Sequence, residues 1–419
     1  MEHMDSKDLE QLRVNGDRLW QNLMELAQIG ATAKGGVCRV ALSNEDRIGR
    51  EWFIERCKAA GCTIAIDQMG SIFARREGTD EEALPILFGS HLDSQPTGGK
   101  FDGAYGVLAA LEVIETLNDH QVQTRAPLEI VSWTNEEGAR FAPAMVASGV
   151  FGGEFTLEYG LSRADKEGKT IGQELERIGY AGEMPVTGRD YAASFEIHIE
   201  QGPILESEDI SVGIVTGVQG MRWYHLTIEG KESHAGTTPM DRRRDPVRAV
   251  LPIIQEFYAL ADEYFPNIRM TIGDLIPSPG SINTVPGQLT LTFDIRHPDA
   301  SILDTVEKAL QDVVQEAYSA SGQAIELKAI WNSPPVSFAQ ECIDAVRRAT
   351  VITGIQPMEI TSGAGHDAAY INRVVPTSMI FVPCEDGLSH NELENAKQSD
   401  LVDGCNVLLH AVLDRANYR

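Results

Sequence analysis

Apolar and polar positions along this chain follow two rhythms, short apolar runs and helix-spaced stripes. Leu84 to Phe88 is a short apolar run ending in Gly-Ser-His, as a buried strand would be. From Gly103 to Asn118, Val107, Leu108, Leu111, Ile114 and Leu117 recur at the spacing of an amphipathic helix. Leu128 to Trp133 and Ser194 to Ile199 read as further buried strands. Alternating strands and helices predict an α/β domain.

The middle of the chain changes character. A strand from Trp223 to Ile228 precedes a helix from Asp245 to Tyr264 and a strand from Ile268 to Leu275. A strand from Gln288 to Ile295, a helix from Ala300 to Ser319 and a strand from Ala324 to Trp331 follow. That β-α-β-β-α-β order matches the ferredoxin-like unit. After Pro334-Pro335 the first pattern resumes, with a helix near Phe338 to Thr353, a strand at Ser378 to Val382 and a last helix from about Asp400. The expected fold is a discontinuous α/β domain, residues 1–215 and 333–419, with a central mixed sheet flanked by helices. A smaller ferredoxin-like insert at 216–332 interrupts it.

Composition changes this picture little. A chain of 419 residues suggests two domains or three, and 42% hydrophobic with 23% charged residues is ordinary for a globular protein. The net charge of −27 argues against nucleic acid and anionic membranes, since both need a basic footprint. No run approaches the length of a membrane span. Met1 to Lys7 is polar and acidic, without the order of a signal peptide, so a cytoplasmic protein is expected. The six cysteines form no CxxC pair and read as reduced, packed thiols.

Chemistry enters at the strand ends. His91 follows the first strand in Gly-Ser-His-Leu-Asp-Ser, and Asp102 opens the next helix. Glu136 and Glu137 close the Leu128–Trp133 strand, His198 lies at the end of another, and His390 sits in a polar loop. Open α/β sheets bind ligands at that edge. Imidazoles mixed with carboxylates, and no thiolate, suit zinc, manganese, cobalt or nickel. Five ligands exceed one simple catalytic site and fit two ions sharing a bridging carboxylate, with Asp102 as the natural bridge. Asp93 is placed to accept the second N–H of His91. Taken singly, Asp102 reads equally well as a helix N-cap, Glu136-Glu137 as a solvated turn and His198 as a core histidine. Their joint placement among glycines favours the metal reading.

The motifs carry a resemblance. His91-Leu-Asp-Ser with Gly-Gly-Lys-Phe-Asp102-Gly, Thr-Asn-Glu-Glu137-Gly and His198-Ile-Glu-Gln-Gly resemble the aminoacylase/carboxypeptidase-type dinuclear metallohydrolases. So do Ser-His234-Ala-Gly, Ser-Gly-Ala-Gly-His-Asp and Leu-Ser-His390-Asn-Glu. More narrowly, the chain is similar to the N-carbamoyl-L-amino-acid hydrolase, β-ureidopropionase and allantoate amidohydrolase branch, from about residue 20 to the C-terminus. Peptidases of the wider superfamily usually carry Asp where this chain has His198.

The resemblance implies one ion on His91 and His198, a second on Glu137 and His390, Asp102 bridging, and Glu136 as general base. It makes His234 the residue that steadies the developing oxyanion, and Arg296 a carboxylate clamp. Asn283 and Gln201 become hydrogen-bonding partners of the substrate. Gly363 and Gly365, read from the residues themselves, either let backbone approach a substrate or make a tight turn. It also implies a homodimer through the insert, which acts as lid and dimerisation domain and lends His234, Asn283 and Arg296 to the other subunit. Seen alone, Arg296 is a surface arginine and Asn283 a turn residue. The expected reaction is hydrolysis of the ureido C–N bond of an N-carbamoyl-L-amino acid or β-ureidopropionate. Allantoate hydrolysis is the nearest alternative, then an aminoacylase or dipeptidase, then a binding protein with a dead site.

Overall fold

The computed structural model describes residues 9–417, so the polar opening Met1–Lys7 lies outside the described residues. The chain forms two compact units, one from the stretches ending at Gly217 and resuming at Phe338, the other Val218–Ser337. The second boundary falls five residues beyond the expected 332. The last long strand runs to Ser333, and a two-residue strand, Val336–Ser337, follows Pro334-Pro335.

The first unit is built on β1 (Thr63–Ile66), β2 (Ile72–Arg76), β3 (Ile86–His91), β4 (Leu128–Trp133), β5 (Ala193–Ile199) and β6 (Gly213–Val218). After the insert, with its strands β7 to β12 and the short β13 (Val336–Ser337), come β14 (Met358–Ser362) and β15 (Thr377–Val382). The sheet runs in the order β1-β2-β4-β3-β5-β15-β6, with β14 beside β6. The middle strands β4, β3, β5 and β15 are parallel, and β1, β2 and β6 are antiparallel to their neighbours. The parallel strands are buried along their whole length, which is why they appear in sequence as unbroken apolar runs rather than alternations.

Two sequence expectations shift here. The first strand begins at Ile86, because Pro85 has no N–H to give a ladder, and it extends through His91, which faces Trp133 across β4. The metal-type histidine is thus part of the strand, not of the loop after it. The helix expected to be amphipathic, which begins at Ala104, is buried on nearly every side, including Glu112. Its solvent face is covered by the helices Gly16–Leu26 and Gln398–Ala416, and Arg18 reaches in to pair with Glu112 at 2.7 Å. We label Gly16–Leu26 α1, Ala104–Asp119 α2, Pro246–Glu263 α3, Ala300–Ser321 α4 and Gln398–Ala416 α5. Shortening Leu108 or Leu111 of α2 to Ala should cost about 2–5 kcal/mol, since both side chains are fully buried.

The second unit is one antiparallel sheet, β7 (Gly220–Glu229), β9 (Arg269–Ser278), β11 (Gln288–His297) and β12 (Ile325–Ser333), in the order β12-β7-β11-β9, with α3 and α4. A two-stranded ribbon pairs β8 (Ser233–His234) with β10 (Thr284–Val285). Strict alternation along β7 and β11 points Tyr224, Leu226 and Ile228 with Leu289, Leu291, Phe293 and Ile295 into a core shared with Ile253, Phe257, Val306 and Leu310 of the helices. Asp245 caps α3 ahead of Pro246, and Gly322 ends α4 in the left-handed conformation. Among the described residues no helix is long and apolar enough to cross a membrane.

Candidate metal centre

The parallel ladder sets the site. β3 ends at His91 and β4 at Trp133, so the turn carrying Asn135, Glu136 and Glu137 emerges beside His91. His198 is the next-to-last residue of β5, and α2 starts two residues after Asp102. The cap of α2 is Gly103, at φ +64, and no side chain caps the helix, so Asp102 does not serve as N-cap. A Cβ at Gly103 would lie 2.3 Å from the His91 ring; glycine here lets the imidazole lie against the turn.

Asp102 is the centre of the cluster. Its Oδ1 lies 3.2 Å from His198 Nε2 and 3.5 Å from His91 Nε2. Its Oδ2 lies 3.4 Å from His390 Nε2, which is also 3.2 Å from Glu137 Oε2. Two triads result, His91/Asp102/His198 and Asp102/Glu137/His390, each with ligand atoms within 4.8 Å of one another. Glu136 belongs to neither triad, yet its Oε2 is 3.5 Å from His91 Nε2. Glu136 is buried and the Glu137 carboxylate only 3% exposed, which excludes the solvated-turn reading.

A further layer of contacts orients these groups. His91 Nδ1 is 2.9 Å from the carbonyl of Asp93, and His198 Nδ1 2.9 Å from that of Ile199. Each Nδ1–H therefore donates to backbone, which leaves an Nε2 lone pair facing Asp102. The sequence suggested that the Asp93 side chain holds His91. The carbonyl does so instead, and the Asp93 carboxylate accepts from Glu136 N–H at 3.2 Å and Glu137 N–H at 3.3 Å. Gln95 donates from its backbone and side-chain nitrogens to the two oxygens of Glu137, at 3.0 and 2.7 Å. Gln201 Nε2 donates to Asp102 Oδ2 at 2.9 Å. Asn135, Gln201 and His390 hold φ near +59, +59 and +54, a left-handed conformation that costs non-glycine residues energy.

Electrostatics match a cationic occupant. Burial alone would lower the His91 imidazolium, but Glu136, Asp102 and Asp93 outweigh it and hold the ring well above the ordinary histidine range. Burial pushes the Glu136 carboxyl well above the usual range, against the pull of His91, as suits a proton acceptor that must also release its proton. For Asp102 burial is overcome by the adjoining His198 and His91 rings, and the carboxyl is held well below the usual range. Two carboxylates, Asp102 and Glu137, and three imidazoles, without a thiolate, form a donor set that fits two divalent cations of the zinc, manganese, cobalt and nickel type.

The remaining candidates lie elsewhere in the chain. Gly363 follows β14, in the loop leading to His366. His234 and Asn283 are adjacent in the second unit: β8 pairs His234 with Thr284, and Ala235 N–H donates to Asn283 O at 3.0 Å. His234 Nδ1 accepts from Gly236 and Thr237 N–H at 3.0 and 3.2 Å, so the neutral ring carries its proton on Nε2. Arg243 donates to Thr238 O and Ala235 O and holds that loop. Arg296, on β11, is forked onto Asp294, at 3.0 Å from Nε and 2.7 Å from an amino nitrogen.

Sequence reasoning assigned no role to several buried polar groups near the first-unit cluster. His366 lies 4.7 Å from His198 ring to ring, edge-on, and its Nε2 is buried with no hydrogen-bond partner among the described residues. Glu196 accepts from Ser90 Oγ and Ala368 N–H behind His198, and Glu394 accepts from the backbone of Phe101 and Asp102. Glu196 had a trace in sequence, a charge inside an apolar strand. Glu394 had none, because it looks like one more acid in a polar loop.

Comparison with known proteins agrees with the geometry. The chain is 46% identical over 407 residues to the N-carbamoyl-L-amino-acid amidohydrolase of Rhizobium meliloti, covering 97% of this chain and 98% of that one. It is 33% identical over 385 residues to the allantoate amidohydrolase of Bacillus subtilis, covering 91% of this chain and 93% of that one. It superposes with a TM-score of 0.94 and 52% identity on a hydantoinase/carbamoylase family amidase from Burkholderia multivorans, over 97% of this chain and 99% of that one. Residues 87–414 match Peptidase family M20/M25/M40, and the chain belongs to that family.

Proposed function

We propose that this hydrolase cleaves the ureido C–N bond of an N-carbamoyl-L-amino acid, with water as co-substrate and amino acid, carbon dioxide and ammonia as products. The observation that carries the reading is the two-sided Asp102 carboxylate, one oxygen toward His91 and His198, the other toward His390. When bound there, two divalent cations supply Lewis acidity and make water a nucleophile at neutral pH. Zinc, manganese, cobalt and nickel all suit the ligands.

The chain's own residues do the rest. Glu136 takes the proton of the attacking water and returns it to the leaving nitrogen, and burial, which raises its affinity for protons, favours the first transfer. His234, with its proton on Nε2, donates to the oxygen of the tetrahedral carbon as charge builds there. Arg296 presents its fork to the substrate carboxylate, with Asn283, Gln201 and the backbone at Gly363 hydrogen-bonding the remainder. We assign His234, Asn283 and Arg296 to the site of a second copy in a homodimer built through the inserted unit, working in the cytoplasm.

Allantoate offers the same ureido and carboxylate groups, and the Bacillus subtilis relative is an allantoate amidohydrolase. Ammonia release from N-carbamoyl-L-methionine, β-ureidopropionate and allantoate, beside acetyl-methionine cleavage and metal analysis, separates the readings. N-carbamoyl-L-methionine should turn over fastest. Metal-loaded protein that releases ammonia from no ureido compound would refute the proposal.

A further inference from the structure

The bridging carboxylate is held from behind by a residue far along the chain. Glu394 is 1% exposed, and its Oε1 accepts from Phe101 N–H at 2.9 Å and from Asp102 N–H at 3.1 Å. Its Oε2 lies 3.3 Å from Ser389 Oγ, and that hydroxyl donates to Asp102 Oδ2 at 2.8 Å. One carboxylate thus grips the main chain of Asp102 and lies beside the serine that holds its side chain. The same residue belongs to the loop that delivers His390, so the turn bearing the bridge and the loop bearing a ligand are tied together.

The sequence has made room for this contact. A Cβ at Gly99 would fall 1.9 Å from the Glu394 carboxyl carbon and 2.0 Å from its Oε1. Gly99 has no left-handed φ to explain it. The space of its missing side chain is filled by the Glu394 carboxylate. Buried Oε1 also satisfies two backbone N–H groups that would otherwise be unpaired in the interior.

We propose that Glu394 is a positioning residue that sets the orientation of Asp102 and the approach of His390, and so determines how tightly the pair of cations is held. The inference rests on the reading of Asp102 as the bridge. It acts through hydrogen-bond acceptance rather than charge: both backbone donors use one oxygen, which glutamine also has. Glu394→Gln should therefore keep cation affinity and kcat within about threefold of the parent. Glu394→Ala should weaken cation affinity by about 10- to 100-fold, the usual cost of losing an orienting partner of a metal ligand. In cation-saturated protein its kcat should fall while KM stays within about threefold.

Gly99→Ala gives an independent route, because the added methyl displaces the carboxylate without removing any polar group. It should reproduce the Glu394→Ala loss. The measurements are cation titration of the chelated, refilled full-length protein by calorimetry with elemental analysis, steady-state ammonia release, and melting of the cation-free protein. A purely structural role predicts cation-free melting points that fall with unchanged cation affinity in the folded fraction, and that result overturns the inference. So does Gln performing as badly as Ala, or folded Gly99→Ala with parental affinity. A parent chain that binds no cation removes the bridge reading as well; a parent that binds two, alongside an unaffected Glu394→Ala, removes this inference alone.

Discussion

His91 and His198 of the first unit and His234 of the inserted unit carry their protons on opposite nitrogens. In the first unit, His91 and His198 give Nδ1–H to backbone carbonyls and turn an Nε2 lone pair toward Asp102. In the inserted unit, His234 Nδ1 accepts from two backbone N–H groups, so its Nε2 is a donor. The side chain is the same and the backbone partner differs: a carbonyl makes a ligand, a pair of amides makes a hydrogen-bond donor. Burial follows the same division. His91 and His198 are 1% exposed, while His234 is exposed. The first unit holds its reactive groups by interior contacts, the second by the shape of one loop.

If that division is right, substitutions in the two units should fail differently. The largest effect belongs to the first unit. Glu136→Gln keeps shape but cannot take a proton, and kcat should fall by about 10²–10⁴ with cation content unchanged. Loss of cations in that variant would move Glu136 from base to ligand. Chelation of the parent should abolish turnover, and refilling should restore it.

Next comes His234→Ala, which removes a donor and touches no ligand. A loss of about 10²–10³ in kcat at constant cation content is expected. Equal loss in KM and none in kcat would make His234 a binding group instead, and the contrast of tautomers would lose its catalytic meaning.

Single carboxyl groups, one from each unit, extend the comparison to stability. Burial raises the Asp67 carboxyl in the first unit from 3.8 to about 6, although Ser71 and Met69 N–H groups bond its Oδ1; its Oδ2 lies 3.9 Å from Arg189 and has no hydrogen-bond partner among the described residues. A folded value above the unfolded one means that the group's contribution is fully present below pH 3.8 and lost as pH rises through about 6. Asp67→Asn should therefore gain on the parent between pH 4 and pH 7.5, by on the order of 3 kcal/mol at most. A constant difference in urea midpoints across that range would contradict this. In the inserted unit the sign reverses: hydrogen bonds from Ser301 hold the cap Asp299 below its ordinary value, so its contribution fades in acid.

How much of this could be read from the chain depends on where the information resides. β4 was legible to the residue because both faces are buried and an apolar run of six has sharp ends. The insert was legible because two-residue alternation is strict along β7 and β11 and Asp245-Pro246 marks a helix start. The burial of α2 was not, since its covering helices come from residues 16–26 and 398–416, beyond any local window. The convergence of His91, Asp102, Glu137, His198 and His390 was suggested by their places at strand ends. Glu394 and Gln95 were invisible because their role lies in partners, and one acid or amide in a loop names no partner.

Arg296 offers the finest test of the division, because it sits on the long strand β11 rather than in a loop. The guanidinium is already forked onto Asp294, which fixes its plane before any substrate arrives. A planar fork matches a carboxylate at two points, whereas an ammonium offers one. Arg296→Lys should thus raise KM about tenfold, near 1.4 kcal/mol, and leave kcat and cation content close to parental, since binding is lost equally in ground and transition states. The same substitution should cost nothing against a substrate amidated at its carboxylate. If the amide and the acid suffer alike, Arg296 does not contact the carboxylate, and its pairing with Asp294 is structural; if kcat falls instead, the inserted unit contributes to transition-state positioning through more than His234.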